Sequence, residues 1–507
     1  MTKDADIIIV DECVTISAIS KSVVPLDTFT AEPLIRITGG VHIGRGGNLS
    51  KAVETEIHTL DTIRDVLPQP DLLSALRASG VDHDKLSRLI DAIDIEPSVH
   101  IDGSMSDEDI SAAAEAATDR ERQNALHLLR CIRREIDIPR KSLTGAFYGQ
   151  VEVQRVMDDG KTMDEVEVAC MRVASLQQPR GTSEATLLLL DGTGDIDLNR
   201  KLFGAELRHE EVRIERTARI TGTRNKWYSR QSITGCNRHG KPIENKTADA
   251  ERLRNDIGAI MAQRPGFFLA TYKAAEEALH AGKHLPAACK TGHFGDLRGK
   301  NAYKHCSGSF VVGAMSVSIM ELEWMARAYM ADDPVPFVSM DKPDFSKEAL
   351  DKDWPWKEWP YRATRNRRMR DDSLQAVEVD VHPHPLCQAV LEQLREAECV
   401  QSGDRCRPIF NERDIVFANN LVLDVTYDAI LTHRELVQGG GRIERVLTRT
   451  GVVPESEDEL VRVFPDVFKS PVTARRDVQA WLELKRHFPN SVTAQVVGGS
   501  RNPEVCD

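Results

Sequence analysis

Three short stretches carry residues whose types and order could do chemistry. The first is IIIVDEC, Ile7 to Cys13, where four β-branched apolar residues run into Asp11 and Glu12. A buried parallel strand reads this way, and its carboxyl end presents two acids. Such a pair can hold Mg²⁺ through the aspartate and orient an attacking water through the glutamate. The second is TLLLLDGTGD, Thr186 to Asp195, another apolar run ending in acid and glycine. The third is REAECVQSGDRCRPI, Arg395 to Ile409, which sets Gln401, Arg405 and Arg407 at one end of a helix. Guanidinium groups held at a boundary can stabilise charge on a transferring phosphoryl group, an effect of about 10³–10⁵ in rate.

Two other readings of LLLLDGTGDIDLN fail on specific positions. A phosphatase of the haloacid-dehalogenase type needs a nucleophilic aspartate two residues before Asp191, where Leu189 stands. A calcium loop through Asp191, Asp195 and Asp197 needs glycine at Ile196 and a bidentate glutamate at Leu202. The HPHPLC stretch (His382, His384, Cys387), followed by Cys399 and Cys406, fits no standard zinc spacing. None of the ten cysteines forms a Cys-x-x-Cys pair, so buried thiols are the expectation.

These residues must be positioned by alternating strands and helices, which means α/β layers. Residues 1 to about 55 read as strand, glycine-rich loop and strand. From Leu60 to about Lys141 the apolar period is helical, with DLLSALRASG ending on Gly80. FYGQVEV and VACMRVASL read as strands. PGFFLATYKAAEEALHAG is a strand and an amphipathic helix, GSFVVGAMSV a buried strand, and LEQLREAECVQ the start of another helix. WPWKEWPYRATRNRRMRDD, Trp354 to Asp372, reads as a loop or hairpin insertion, and the chain from about Glu435 as a charged helical tail.

Composition narrows the class. The 507 residues are 41% hydrophobic and 29% charged, which fits a globular protein of two to four domains. No apolar run approaches the ~18 residues of a membrane span, and the acidic amino terminus does not read as a secretory leader, so a cytoplasmic protein without membrane partners is expected. The net charge of −13 argues against charge-driven coating of nucleic acid while leaving room for a local basic track. Two stretches could supply it. ARITGTRNKWYSR carries Arg224, Lys226 and Trp227, and YRATRNRRMR carries Arg365, Arg367 and Arg368. Cations bind phosphates without reading sequence, and an aromatic stacks a base for ~1–3 kcal/mol.

Taken in order, IIIVDE, LLLLDGTGD, FFLATYK, LRGKN and QSGDRCR resemble the motif series of superfamily-two nucleic-acid helicases, particularly those of plasmids and prophages. The resemblance covers roughly residues 5 to 425 and implies two RecA-like lobes that use ATP and Mg²⁺ to act on nucleic acid, chiefly DNA, in replication. The first lobe (1–204) is expected to be incomplete, with a helical insertion at about 56–145; the second spans 205–425, and 426–507 forms the tail. By resemblance, Asp11 holds the metal and Glu12 activates water, while Asp191 and Thr193 stand at the hydroxyl motif that couples hydrolysis to strand movement. FFLATYK opens the second lobe. Arg298, Gly299 and Asn301 touch nucleotide and strand, and Gln401, Arg405 and Arg407 form the arginine-finger motif. Many relatives place the second arginine seven residues after the glutamine, where this chain has Pro408; Arg407, at six, takes that place.

No G-x-x-x-x-G-K-[ST] loop occurs anywhere in the chain. GGVHIGRGGN lacks the Lys–Ser/Thr pair. The expectation is that the phosphate loop comes from an upstream polypeptide, or that hydrolysis has been given up in favour of a non-catalytic nucleic-acid- or partner-binding role. A missing central strand is also expected to leave apolar surface on the two acid-tipped strands.

Overall fold

The computed structural model describes residues 7–11, 15–27, 29, 51–94, 120–156, 163–177, 186–212, 215–237, 240–337, 339, 362–439, 442–454, 456–487 and 495–497. The amino-terminal part runs β1 (Ile7–Asp11), β2 (Ile19–Pro25), α1 (Lys51–Val66), α2 (Leu72–Ala78), α3 (His83–Ile93), α4 (Arg120–Glu135), β3 (Ala146–Val156), β4 (Met163–Leu176), β5 (Thr186–Leu190) and α5 (Ile196–Phe203). Helices α1 to α4 lie in or overlap the stretch expected to be helical. In α3, Asp82 accepts from the Lys85 N–H, and Leu86, Leu89, Ile90 and Ile93 form one buried face.

This part is not one parallel lobe among the described residues. β2, β4 and β3 form an antiparallel sheet in that order, onto which the helices pack through Ile63, Leu73, Leu86, Leu126, Leu129 and Met171. The short connection from Val156 to Met163 dictates antiparallel pairing, since a parallel return needs a long crossover. β1 and β5 stand apart as a two-stranded parallel pair, in register from Ile7↔Thr186 to Asp11↔Leu190. Ile9 is 62% exposed, Leu188 47% and Leu190 50%, so the expected apolar surface is there.

The second part runs β6 (Ala218–Arg224), α6 (Arg230–Thr234), α7 (Thr247–Ala262), β7 (Phe267–Thr271), α8 (Lys273–Ala281), β8 (Lys290–His293), β9 (Gly308–Val312), α9 (Ile319–Met330), β10 (Arg362–Met369), β11 (Leu374–Asp380), α10 (Pro385–Asp404), β12 (Arg413–Ala418), β13 (Thr426–Tyr427), β14 (Ala429–Thr432) and α11 (His433–Val437). Its centre is a six-stranded, all-parallel sheet in the order β14-β6-β12-β9-β7-β8. Every residue of β7 and β9 is buried, as a strand covered on both faces requires. Phe267, Leu269, Phe310 and Val416 face a core shared with α7 and α8; Phe268, Val311, Ile415 and Phe417 face one shared with α10. The result is a three-layer α/β/α unit.

Three boundaries differ from expectation. FFLAT is the second strand of this sheet in chain order; β6, from ARITGTR, opens it. Its two arginines and small residues hide the strand signal, and Gly222 is small because a Cβ there would meet Ile430 and Tyr427 below 3.0 Å. Residues 426–437, expected in the tail, supply β13, the outer strand β14 and α11. The remaining α12 (Arg442–Thr450), β15 (Val452–Pro454), α13 (Glu457–Val463), α14 (Pro471–His487) and β16 (Gln495–Val497) hold a core of their own around Val446, Leu460, Phe468 and Trp481. The basic stretch is the expected hairpin: β10 and β11 pair antiparallel, while its first residues, 354–361, lie outside the described residues.

α9 ties the two parts together. Trp324 Nε1 donates to Val173 O at 2.9 Å and the Tyr329 hydroxyl to Thr15 O at 2.6 Å. Within the first part, His127 on α4 bridges β2 and β4, its Nδ1 2.8 Å from Ser22 Oγ and its Nε2 2.6 Å from Ser175 Oγ. Burial, and secondarily Arg130, lowers its pKa below 6.5. The unfolded chain therefore takes up this proton first, so stability is full above pH 6.5 and declines as pH falls through that value. We expect the thermal midpoint to drop between pH 7.5 and 5.5, with a smaller drop in His127→Gln. Equal slopes for the two proteins would show that His127 does not contribute.

Candidate functional site

β5 ends in the DGTGD loop, and each polar residue there has an assigned bond. Asp191 Oδ1 accepts from the Thr193 N–H at 2.9 Å and from its hydroxyl at 3.2 Å, a local turn of the kind aspartate favours. Asp195 caps α5 by accepting from the Leu198 N–H. Thr193 is thereby held out at the carboxyl end of the β1/β5 pair. Against it lies the last turn of α10: Gln401 Nε2 donates to Thr193 Oγ1 at 2.7 Å, and Gln393 Nε2 donates to Thr193 O.

The QSGDRCR stretch is shaped by its glycine. A Cβ on Gly403 would meet the Phe417 ring at 2.8 Å, so only glycine lets this turn lie flat on β12. The Gly403 carbonyl accepts from Ser309 Oγ at 3.2 Å. Arg405 then closes the helix, and Arg407 adopts φ +58°, a left-handed conformation that turns the chain sharply after the helix. Arg407 Nη2 donates to Asn301 Oδ1 at 2.6 Å.

Between these elements lies a cleft of about 530 Å³, lined by Leu190, Asp191 and Thr193 on one side and by Gln401, Arg405 and Arg407 on the other. Most of the remaining charges at its wall are paired. Arg216 makes a two-pronged contact with Asp404 at 2.9 Å, Arg368 reaches Asp424 at 3.3 Å, and Arg370 binds the buried Asp428. Arg407 is bonded to an amide instead of a carboxylate, so its charge remains for an anionic ligand. Gln401 Oε1 is buried without a donor among the described residues.

The other sequence candidates fall in several places. The backbone of Asp11 is in register with Leu190, which puts the end of β1 beside the cleft; Glu12 lies outside the described residues. Arg298 bonds Glu398 of α10 at 3.0 Å and Gly299 forms a turn at φ +69°, and neither lines the cleft; Asn301 acts on it through Arg407. Arg224, the last residue of β6, and Trp227 just beyond it are exposed, with Lys226 half-buried between them. Arg365 is paired with Glu392 at 2.6 Å.

Arg367 is a correction. It is 1% exposed, and its guanidinium donates to the carbonyls of Leu421, Thr223 and Asn419, each at 2.7 Å, so it does not reach a bound strand. In β10 alternate residues face opposite ways, and position 367 faces the sheet. Burial lowers its pKa and raises that of the neighbouring Tyr427 to about 12.

Gln393 and Arg216 were missed. Gln393 sits two helical turns before Gln401, a spacing that returns near the same face and could have flagged it. Arg216 lies in a charged linker with no periodic signal. No helix of the described residues is long and apolar enough to cross a membrane, and none of their His, Cys, Asp and Glu gather in threes fit to hold a metal. No protein-family model, curated protein or solved structure matches the chain.

Proposed function

We propose that this chain is the arginine-bearing portion of an ATP-dependent nucleic-acid helicase or translocase of a mobile element, acting in DNA replication, with little ATPase activity alone. The observation that carries the reading is the Gln401–Thr193 contact across a cleft that Arg405 and Arg407 also line. Two stretches about 200 residues apart in sequence meet there, which supports the roles that the resemblance implies for them. The parallel α/β/α unit behind the arginines supplies a rigid support of the kind nucleotide-handling sites use.

The residues present suit the phosphate end of a nucleotide on one side. Arg405 and Arg407 would contact it, Asn301 orients Arg407, and Gln401 links the arginine turn to the Thr193 loop. A bound Mg·ATP would supply the phosphoryl group and its charge. No phosphate loop with its backbone cradle and lysine occurs in the 507 residues, so on this reading turnover needs such a loop from outside them. Purified chain should bind a fluorescent ATP analogue, and Arg405→Ala with Arg407→Ala should weaken binding about 10–100-fold, as for loss of charge-assisted hydrogen bonds. Steady-state hydrolysis should stay near background. Undiminished binding by the double variant, or robust DNA-stimulated turnover by the chain alone, would refute this reading.

The rival is a non-catalytic binding protein that keeps the scaffold. The exposed Arg224–Trp227 segment favours it, since strand binding there needs no nucleotide. Single-strand affinity unchanged by ATP, in a protein that binds no ATP analogue, would select it.

A further inference from the structure

We propose that a second cavity, at the carboxyl ends of β6, β7, β9 and β12, receives one unstacked base of a single DNA strand while the strand's phosphates run over Arg224 and Lys226. This rests on the nucleic-acid reading above and goes beyond it by assigning a base-holding site separate from the nucleotide cleft. The cavity measures about 470 Å³, within the ~300–1,000 Å³ range of small-molecule sites. It lies where open parallel sheets bind ligands, in the crevice beyond the strand ends at which crossovers diverge: β6 and β7 lead into α6 and α8 on one face, while α10, ahead of β12, covers the other.

Its chemistry selects an uncharged ring. Met315, Val317, Ile319, Leu322, Leu391 and Leu421 line it, with Tyr228 and Tyr272. Every ionisable side chain at its wall other than the tyrosines is already paired: Asp380 with Arg362 at 3.2 Å, Arg395 with Glu396 at 3.0 Å, and His382 with Glu323 at 3.3 Å. A phosphate entering there would lose its hydration without gaining a cation, whereas a flat heteroaromatic ring loses little. Asn420 lines the cavity, and its Oδ1 has no donor among the described residues, an acceptor suited to a base N–H.

The mouth carries the opposite character. Trp227 is 49% exposed, with the Arg362 guanidinium 5.8 Å from its ring centre, which offers a stacking platform for the next base. Arg224 and Lys226 lead into it, and neither side chain has an ion pair or hydrogen bond among the described residues. Unneutralised cations outside an apolar slot match a strand whose phosphates stay in water while a base turns inward.

The test compares two fluorescein-labelled strands of about 20 nucleotides, one of thymidines and one of abasic sugar-phosphates, binding to the full chain at several salt concentrations. The base-bearing strand should bind about tenfold tighter than the abasic one. Met315→Trp, and separately Val317→Trp, fill the cavity and should bring the first affinity down to the second. Abasic binding should be unchanged in both, which also shows that they fold. Arg224→Glu with Lys226→Glu should weaken both strands and flatten the salt dependence. Equal affinities for the two strands, or cavity-filling variants with normal base preference, overturn the base site while leaving the nucleic-acid reading intact. Failure of both strands to bind overturns that reading, and this site with it.

Discussion

Glu135→Ala should destabilise the amino-terminal unit by about 3–5 kcal/mol, the range for breaking a buried ion pair from one side. Glu135 is fully buried at the end of α4, and both oxygens are engaged. Oε2 accepts from the Thr144 N–H at 2.7 Å and from the Arg140 guanidinium; Oε1 accepts from the Gly145 N–H at 2.7 Å. Arg140 in turn donates to Ala331 O at 2.7 Å and to Asp333 O, just beyond α9. One carboxylate thus fastens α4, the turn before β3, and the helix from the second part. Alanine would strand a guanidinium and two backbone N–H groups away from water. Urea unfolding followed by circular dichroism measures this. Adding Arg140→Ala should cost less than the sum of the single changes, because the charge left behind is removed as well. Asp296→Ala, which breaks an exposed pair with Lys300, should change stability by no more than about 0.5 kcal/mol. A Glu135→Ala effect as small as that would refute the account.

Arg367→Leu should cost the six-stranded unit about 3–5 kcal/mol, from buried carbonyls left without their donor at about 1–3 kcal/mol each, although the residue sits in the most basic stretch of the chain. Its three carbonyl partners lie at or just beyond the ends of β6 and β12, and its guanidinium is 5.2 Å from the centre of the Tyr427 ring. Leucine fills the space and leaves three carbonyls without that donor. Arg367→Lys should recover only a fraction, because an ammonium cannot present a planar fork to three fixed acceptors. Thermal unfolding of both variants is the measurement, and wild-type stability in the lysine variant would contradict this role. Single-strand affinity gives the complementary reading: Arg224→Glu should lower it at conditions where Arg367→Lys remains folded and binds normally.

The expectations that held rest on local physics. Continuous apolar runs marked β1, β5, β7 and β9, and the helical period marked α2 to α4; β7 and β9 are covered on both faces and have no polar side, whereas β1 and β5, expected to be buried, are partly exposed in their separate pair. Those that failed involve signals that local rules do not carry. β6 reads as a cationic segment, yet its Arg219 lies in the sheet, beside the carboxylates of Asp414 and Asp428. β14 and β13 are too short and too distant from their partners for any window to connect them. The antiparallel sheet of β2, β4 and β3 was merged with the β1/β5 pair because alternating strands and helices imply an order of elements without fixing which strands share a sheet.

By itself, the amino-acid order determined most of the strands and helices, β6, β13 and β14 excepted, that the chain is an α/β protein, and which side chains carry acid, hydroxyl and guanidinium chemistry. Tertiary structure alone decided that Thr193 touches Gln401, that Arg407 leans on Asn301, and that Arg367 of a basic run is a structural post while Arg368 beside it faces solvent. The reason is the range of the forces involved. Propensity and periodicity act over a few residues, whereas a charge is exposed, paired or buried according to which distant backbone happens to lie against it.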